Sequence, residues 1–443
     1  MTRILLLGHN PPLLERHSKL EAANYRTWQF LDPLLADGHA ICFVAKASQR
    51  NPKITSISEN WLGDGEYNSI SFDRRGWVED LQRIHDRFRP QCIVAVNFDL
   101  CLYSTKLRTQ KPIWMDLYGD YLTIIQAASY RSRSDRGIST SIAFLNRVLK
   151  KGDQFSVCSE TQRHALIGEL AMAGRLNWRT FGYEFSNVIR PGLMPEQVAK
   201  QSDCGRTMLS GYGIKDHDFV VLWCGGYNTW TDVDTLFNGL EWSMARESRI
   251  HYVSLGASTY QALDNTYARF LSKIEQSRFR DRFHMLGWRP WEEVIRYYSE
   301  SDVGINIDAL HYETIYGTRT RLLEMIAAGL PVITSLGSEL SFLLAERNAA
   351  LTFPVGQWRG FGEHILRAAD NATLRKELAR TAQMYAKEEM SFQNTTKPVR
   401  EWAGRPLVAP DKTKLHRGAR ISHFEYKIRS LARQLIWLVA GLE

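Results

Sequence analysis

Between His311 and Ser335 the chain reads HYETIYGTRTRLLEMIAAGLPVITS, and its residue types can do chemistry on an anion. Glu313 and Gly317 stand in a polar loop, after which Leu322, Leu323, Ile326 and Ala327 fall on one face of a helix. Gly329 can take the left-handed conformation that stops a helix, and Pro331 is a second stop before a short buried strand over 331–335. In this loop, helix, strand order the loop amides and the positive end of the helix dipole converge on one spot, which suits a phosphate. Arg319 and Arg321 sit in the first turn, where the dipole favours acids, and that local conflict points to an anionic ligand. Glu324, one turn further in, can look back over the loop and accept hydrogen bonds from vicinal hydroxyls such as those of a ribose. The structural alternative is an exposed helix start with ordinary salt bridges.

Other chemistry-bearing residues lie just after strand-like runs. The apolar run at 219–224 ends in Gly225 and Gly226, which let a backbone approach a diphosphate closely, and Asn228, Thr229 and Trp230 follow. Trp288, in the stretch HMLGWRPW, could stack on a base or simply pack. In the first half, His9 follows the first strand, 97–99 (NFD) follows another, and Asp116 opens the loop DLYGD. Asp116 and His9 both stand just after a strand, where ligands of such sheets bind, with a mere turn brace as the alternative for Asp116. Ser159 and Gln162 form a capping box at a helix start.

The elements that must hold these residues alternate. Strand-like runs at 4–7, 40–45, 92–96, 113–115 and 155–158 are separated by helical stretches, the first over about 21–35, and the pattern resumes at 219–224, 250–255 and 301–307. This is the α/β pattern of a parallel, doubly wound sheet, whose ligands bind at the carboxyl ends of the strands. The stretch 51–68 is polar and reads as a surface excursion. At 443 residues the chain accommodates two such domains, 1–195 and 206–390, followed by a crossover helix and tail over 391–443.

The tail of the first stretch, Ala327-Ala-Gly-Leu-Pro-Val with Glu324 before it, resembles the donor-site motif of retaining glycosyltransferases of the GT-B fold, family 4 (glycosyl transferases group 1). The usual form is Glu-x7-Glu followed by Ala-x-Gly-x-Pro-Val. Glu324 matches the second glutamate; Tyr316 stands at the place of the first, and the nearest acid, Glu313, lies three residues earlier. The resemblance implies two Rossmann-like domains around a cleft. It also implies a donor held by Gly225, Gly226, Asn228, Trp288, Tyr316, Gly317, Thr318, Arg319, Arg321 and Glu324, with Glu313 taking the role of the first glutamate. Family members carry an Arg and a Lys after the strand at 219–224; here neither occurs, and Arg319 and Arg321 are expected to take over the diphosphate charge. The implied reaction moves a sugar from a nucleotide-diphosphate-sugar to a glycan or lipid-linked acceptor bound by the first domain, with retention and without a metal cofactor, and makes Asp116 and His9 the acid/base candidates of that domain. Readings that remain open are an epimerase or phosphorylase of the same fold, and a degenerate nucleotide-sugar-binding protein without turnover.

Composition bounds the rest. Hydrophobic residues make up 44% and charged residues 23%, the balance of a globular protein, and no run of about eighteen apolar residues could span a bilayer. The amino terminus reads as a strand rather than a signal peptide. The six scattered cysteines form no Cys-x-x-Cys pair and read as buried thiols in a reducing, cytoplasmic compartment. The twelve histidines show no metal-ligand spacing. The net charge of +8 suits an anionic partner, but no nucleic-acid-binding module is present. Residues 405–443 combine clustered Lys and Arg with an apolar stripe at helical spacing. They read either as a contact with the inner face of the cell membrane or as a helix docked on the body.

Overall fold

A computed structural model describes residues 1–10, 22–47, 62, 65–193, 206–258 and 265–412. Most of the polar excursion at 51–68, the inter-domain linker, Cys204 and residues 413–443 lie outside the described residues.

The first sheet holds β1 (Arg3–His9), β2 (Ala40–Lys46), β3 (Glu66–Ile70), β4 (Cys92–Val96), β5 (Ile113–Leu117), β6 (Gln154–Val157) and β7 (Ser186–Val188). Its order is β3-β2-β1-β4-β5-β6-β7, with parallel pairing throughout. Ile4, Leu5, Leu6 and Leu7 have no exposed surface, because helices cover both faces of a parallel sheet and every strand position needs an apolar side chain. The second sheet holds β8 (Phe219–Cys224), β9 (Ile250–Leu255), β10 (Phe283–Met285), β11 (Val303–Asn306), β12 (Val332–Leu336) and β13 (Leu351–Pro354), ordered β10-β9-β8-β11-β12-β13 and again parallel. In both sheets the strand order reverses beside the first strand, between β1 and β4 and between β8 and β11. Such switch points open a crevice at the carboxyl ends. This is the expected fold class of two Rossmann-like doubly wound domains.

The chain then returns. The helix Ala372–Glu389 packs Ala382, Tyr385 and Ala386 into the second-domain core. Beyond it Phe392 is buried edge-on to Tyr25 and Trp28 of the first domain, at ring distances of 5.6 and 5.8 Å. The helix Lys397–Gly404 puts Val399 and Ala403 into the first-domain core. The start of the basic tail is docked too: Asp411 pairs with buried Arg175, and Lys412 lies 2.9 Å from Asp153. Among the described residues no helix is long and apolar enough to cross a membrane. The five described cysteines are free and buried.

Candidate active site

The stretch at 311–335 folds around its glycines. The segment expected as a polar loop is a short helix, Tyr312–Tyr316, which ends at Gly317, where a Cβ would sit 2.5 Å from the Glu313 carbonyl oxygen. A second helix, Thr320–Ala327, packs Leu322, Leu323 and Ile326 inward and stops before Gly329, whose φ is 75°. The break between the two helices aims the start of the second toward the crevice beside β8.

The two arginines at that start part company. Arg319 turns inward and is 5% exposed; its Nε lies 2.9 Å from Asp308 Oδ1, and its Nη2 lies 3.0 Å from Glu313 Oε2 and donates to Thr314 Oγ1. Two carboxylates therefore neutralise it, and burial raises the pKa of Glu313 against the pull of that arginine. Arg321 turns the other way. Its Nη2 donates to the Gly226 carbonyl at 3.0 Å, its guanidinium lies 4.3 Å from the Trp223 ring centroid, and its Nη1 is buried with no hydrogen-bond partner. Among the described residues no carboxylate lies within ion-pair distance of it, and burial pulls its pKa down.

The glycine turn meets this side chain. Gly225 holds φ at 100°, and a Cβ there would touch the Arg321 guanidinium at 3.4 Å, while a Cβ on Gly256 would run into the Gly225 oxygen. The turn is thus locked against the end of β9, and only glycine fits at both places. Asn228 follows, partly exposed, its backbone N–H donating to Thr231 Oγ1. Glu324 lies near Arg321 and accepts from the Tyr298 hydroxyl at 3.2 Å; burial pushes its carboxyl up to about 7. Trp288 is partly exposed on the loop after β10, and Thr318 lines a small cleft with Cys158 and Arg190.

The first domain closes over this group. Ser159 Oγ and Thr161 Oγ1 donate to the carbonyls of Tyr316 and Ile315, each at 2.7 Å, so the start of the helix Glu160–Met172 clamps the short helix that carries Glu313. Arg131 Nη1 donates to Thr229 Oγ1 at 3.0 Å. Burial pushes the Tyr118 hydroxyl up, and Glu324 adds to that shift from across the domain boundary. Between the domains is a cavity of about 460 Å3, lined by Thr123, Gln126 and Tyr130 on one side and Trp230, Tyr312 and Glu313 on the other.

The two first-domain candidates fare differently. Asp116 has no exposed surface; Arg26 grips it at 2.7 and 2.9 Å, and Ser156 donates to it at 2.6 Å. Its place is that of an internal brace under the β5 loop. His9 is partly exposed at the end of β1 and lies 3.2 Å from Asp99, which also takes Lys46 at 2.8 Å. Burial alone would raise Asp99, but these two partners hold its carboxyl down at about 2. Sequence reasoning picked out the loop 97–99 by the carboxyl-end rule but did not pair Asp99 with His9 and Lys46, and it missed Asp308, which follows β11 and which the same rule could have found. Among the described residues no group of three or more His, Cys, Asp or Glu side chains could hold a metal ion.

The segment that builds most of this geometry also has known relatives. Residues 218–371 match the family of glycosyl transferases group 1. The match spans the glycine turn, both arginines, Glu313 and Glu324. Solved structures extend the likeness to the whole fold. A sucrose-phosphate synthase from Thermosynechococcus elongatus superposes with a TM-score of 0.69 at 15% identity, covering 91% of this chain and 99% of that one. The trehalose-6-phosphate protein of E. coli bound with UDP-2-fluoro glucose gives 0.67 at 12%, covering 92% and 100%. Anabaena HepE in complex with UDP and glucose gives 0.63 at 13%, covering 91% and 100%. The architecture is therefore the two-domain GT-B fold. No curated protein matches by sequence.

Proposed function

We propose that the protein transfers a sugar from a nucleotide-diphosphate-sugar to a glycan or lipid-linked acceptor, with retention at the anomeric carbon. The observation that carries the reading is Arg321, a guanidinium at the cleft with one nitrogen buried and unpartnered, set against a glycine turn that opens backbone to a ligand. A diphosphate would satisfy that nitrogen and the turn's amides together, and the charge that develops as it leaves is what such preorganised donors stabilise. In this reading Glu324 accepts the ribose hydroxyls, Glu313 faces the donor sugar, and His9 works on the acceptor side. No metal is required, because Arg321 and the helix-start amides carry the compensating charge.

UDP-sugars are the first donors to try, since HepE and the E. coli trehalose-6-phosphate protein were solved with UDP, UDP-glucose or a fluorinated analogue. The acceptor would enter the 460 Å3 cavity, where Tyr130, Trp230 and Tyr312 offer ring faces to a sugar. Retention rests on the resemblance to family 4 and is checked by the anomeric proton of the product in NMR.

Thermal shift against a panel of nucleotide-sugars tests the donor reading, because a ligand bound only by the folded state raises the melting temperature. A UDP-sugar should stabilise the protein, and Arg321→Ala should remove most of that shift. A panel without any stabilising member would overturn the proposal. The ion pairing of Glu313 also favours, as a second reading, a donor-binding protein without turnover. Slow hydrolysis of the bound donor in the absence of acceptor would speak for the enzyme.

A further inference from the structure

The cavity between the domains changes character from its interior to its mouth. Thr123 and the Glu313 side chain, 8% and 13% exposed, put polar groups well inside it. Its mouth is apolar. Tyr130, Leu310 and Tyr312 are 60%, 69% and 58% exposed, and all three line the same opening. Exposed apolar residues scattered singly are ordinary, whereas three large ones that converge on one opening from both domains form a patch that calls for a ligand.

The mouth is firmly built. Leu310 follows β11 on a segment tied to the loop after the glycine turn: the Ala309 N–H donates to the Trp230 carbonyl at 2.7 Å, and Asp308 pairs with Thr231 in an antiparallel bridge. Tyr130 stands near the end of the helix Tyr121–Ser132, and the Arg133 guanidinium lies 4.9 Å from its ring centroid. Tyr312 opens the short helix that carries Glu313, with its ring stacked 6.2 Å from that of Tyr316. Ordered backbone thus holds these side chains outward around the opening.

The lining decides what fits there. Ring faces alone would suit a sugar. Ala127, Leu310 and Ile315 add aliphatic surface, however, and a sugar hydroxyl set against an aliphatic side chain loses its water without gaining a hydrogen bond. A hydrocarbon chain has no such cost and gains with each methylene that it buries.

We propose that the acceptor is amphiphilic: its reacting sugar occupies the interior beside Trp230 and Glu313, and a hydrocarbon aglycone lies across the mouth on Tyr130, Leu310 and Tyr312. The inference rests on the transferase reading, but the preference for a hydrocarbon chain attached to a sugar belongs to the cavity itself and is measured without a donor.

The test uses the methyl and n-octyl β-glycosides of glucose, galactose, mannose and N-acetylglucosamine, titrated into the full chain by calorimetry below the micelle concentration of each octyl member. At least one octyl glycoside should bind roughly tenfold or more tighter than its methyl partner, the gain from burying about two methylenes. Leu310→Ser should cut that preference roughly fivefold or more, as for the loss of one aliphatic contact surface, at the melting temperature of the wild type. Equal binding within every pair, no binding by any octyl member, or a preference that survives Leu310→Ser overturns the proposal. A lower melting temperature of the variant would mean that the chain itself covers the mouth, and that result overturns it too. A UDP-sugar panel without a stabilising member overturns the transferase reading alone, because the glycoside titrations need no donor.

Discussion

Arg319 and Arg321 are one residue type, two positions apart, yet their surroundings give them opposite tasks. Arg319→Ala would leave Asp308 and Glu313 as buried carboxylates without their cation, and breaking such a pair costs about 3–5 kcal/mol. A large fall in melting temperature is expected. Arg321→Ala removes an unpaired guanidinium instead, so the fold should hold while donor affinity drops by about 1–3 kcal/mol, the range for a charged hydrogen bond. Calorimetric unfolding and donor titration on the two variants separate these outcomes. Glu324 supplies a pH signature. Its folded-state pKa of about 7 exceeds the ordinary glutamate value, so between roughly pH 4.5 and 7 the folded protein keeps a proton that the unfolded chain has released. Stability contributed by this group is therefore present at low pH and falls as pH rises through that window. Glu324→Gln should flatten the slope of melting temperature against pH. If the carboxylate grips a ribose, donor affinity should rise across pH 7 in the wild type and lose that rise in the variant.

At the scale of elements, the short helix Tyr312–Tyr316 owes its position to the other domain. Thr161 donates to Ile315 and its Oγ1 also lies 3.1 Å from Ser159 Oγ, but Ser159 caps its own helix as well, so Thr161 is the cleaner handle. Thr161→Val keeps the shape and removes the donor. Turnover should fall about tenfold for a loss near 1.4 kcal/mol, with donor affinity unchanged, because the clamp orients Glu313 rather than holding the nucleotide. A fall in donor affinity with unchanged turnover would contradict that role.

At the scale of the whole molecule, a segment far from the cleft ties the end of the second domain to the first. Phe392 carries the chain back to the first domain and is fully buried between Tyr25 and Trp28. Phe392→Ala should cost about 3–5 kcal/mol as a buried aromatic truncation. Because the cavity joins two domains, the variant should also show a larger radius of gyration in small-angle scattering and weaker turnover. An unchanged radius with reduced melting temperature would confine the residue to stability.

Some of this was legible from the residues alone. Strands buried on both faces must be continuous apolar runs, so 4–7, 92–96 and 219–224 announced themselves, and the left-handed Gly329 before Pro331 marked a helix end that the backbone could not avoid. Glu324 and the motif after it pointed to a family from local spacing. Which arginine is free was not legible, since Asp308 and Glu313 choose Arg319 by distance in space. Asp116 could be read either as an acid/base candidate or as a turn brace, because its partner, Arg26, is ninety positions earlier on the helix Ala22–Ala36. The tail read as one basic stretch, yet Asp153 and Arg175 anchor its first residues, 411 and 412. The sequence by itself determined the alternation of strand and helix, because backbone geometry and burial impose a short period on neighbouring residues. Only the tertiary structure decided which charges are neutralised and which remain open to a ligand, because an ion pair depends on separation in space and on the water excluded around it.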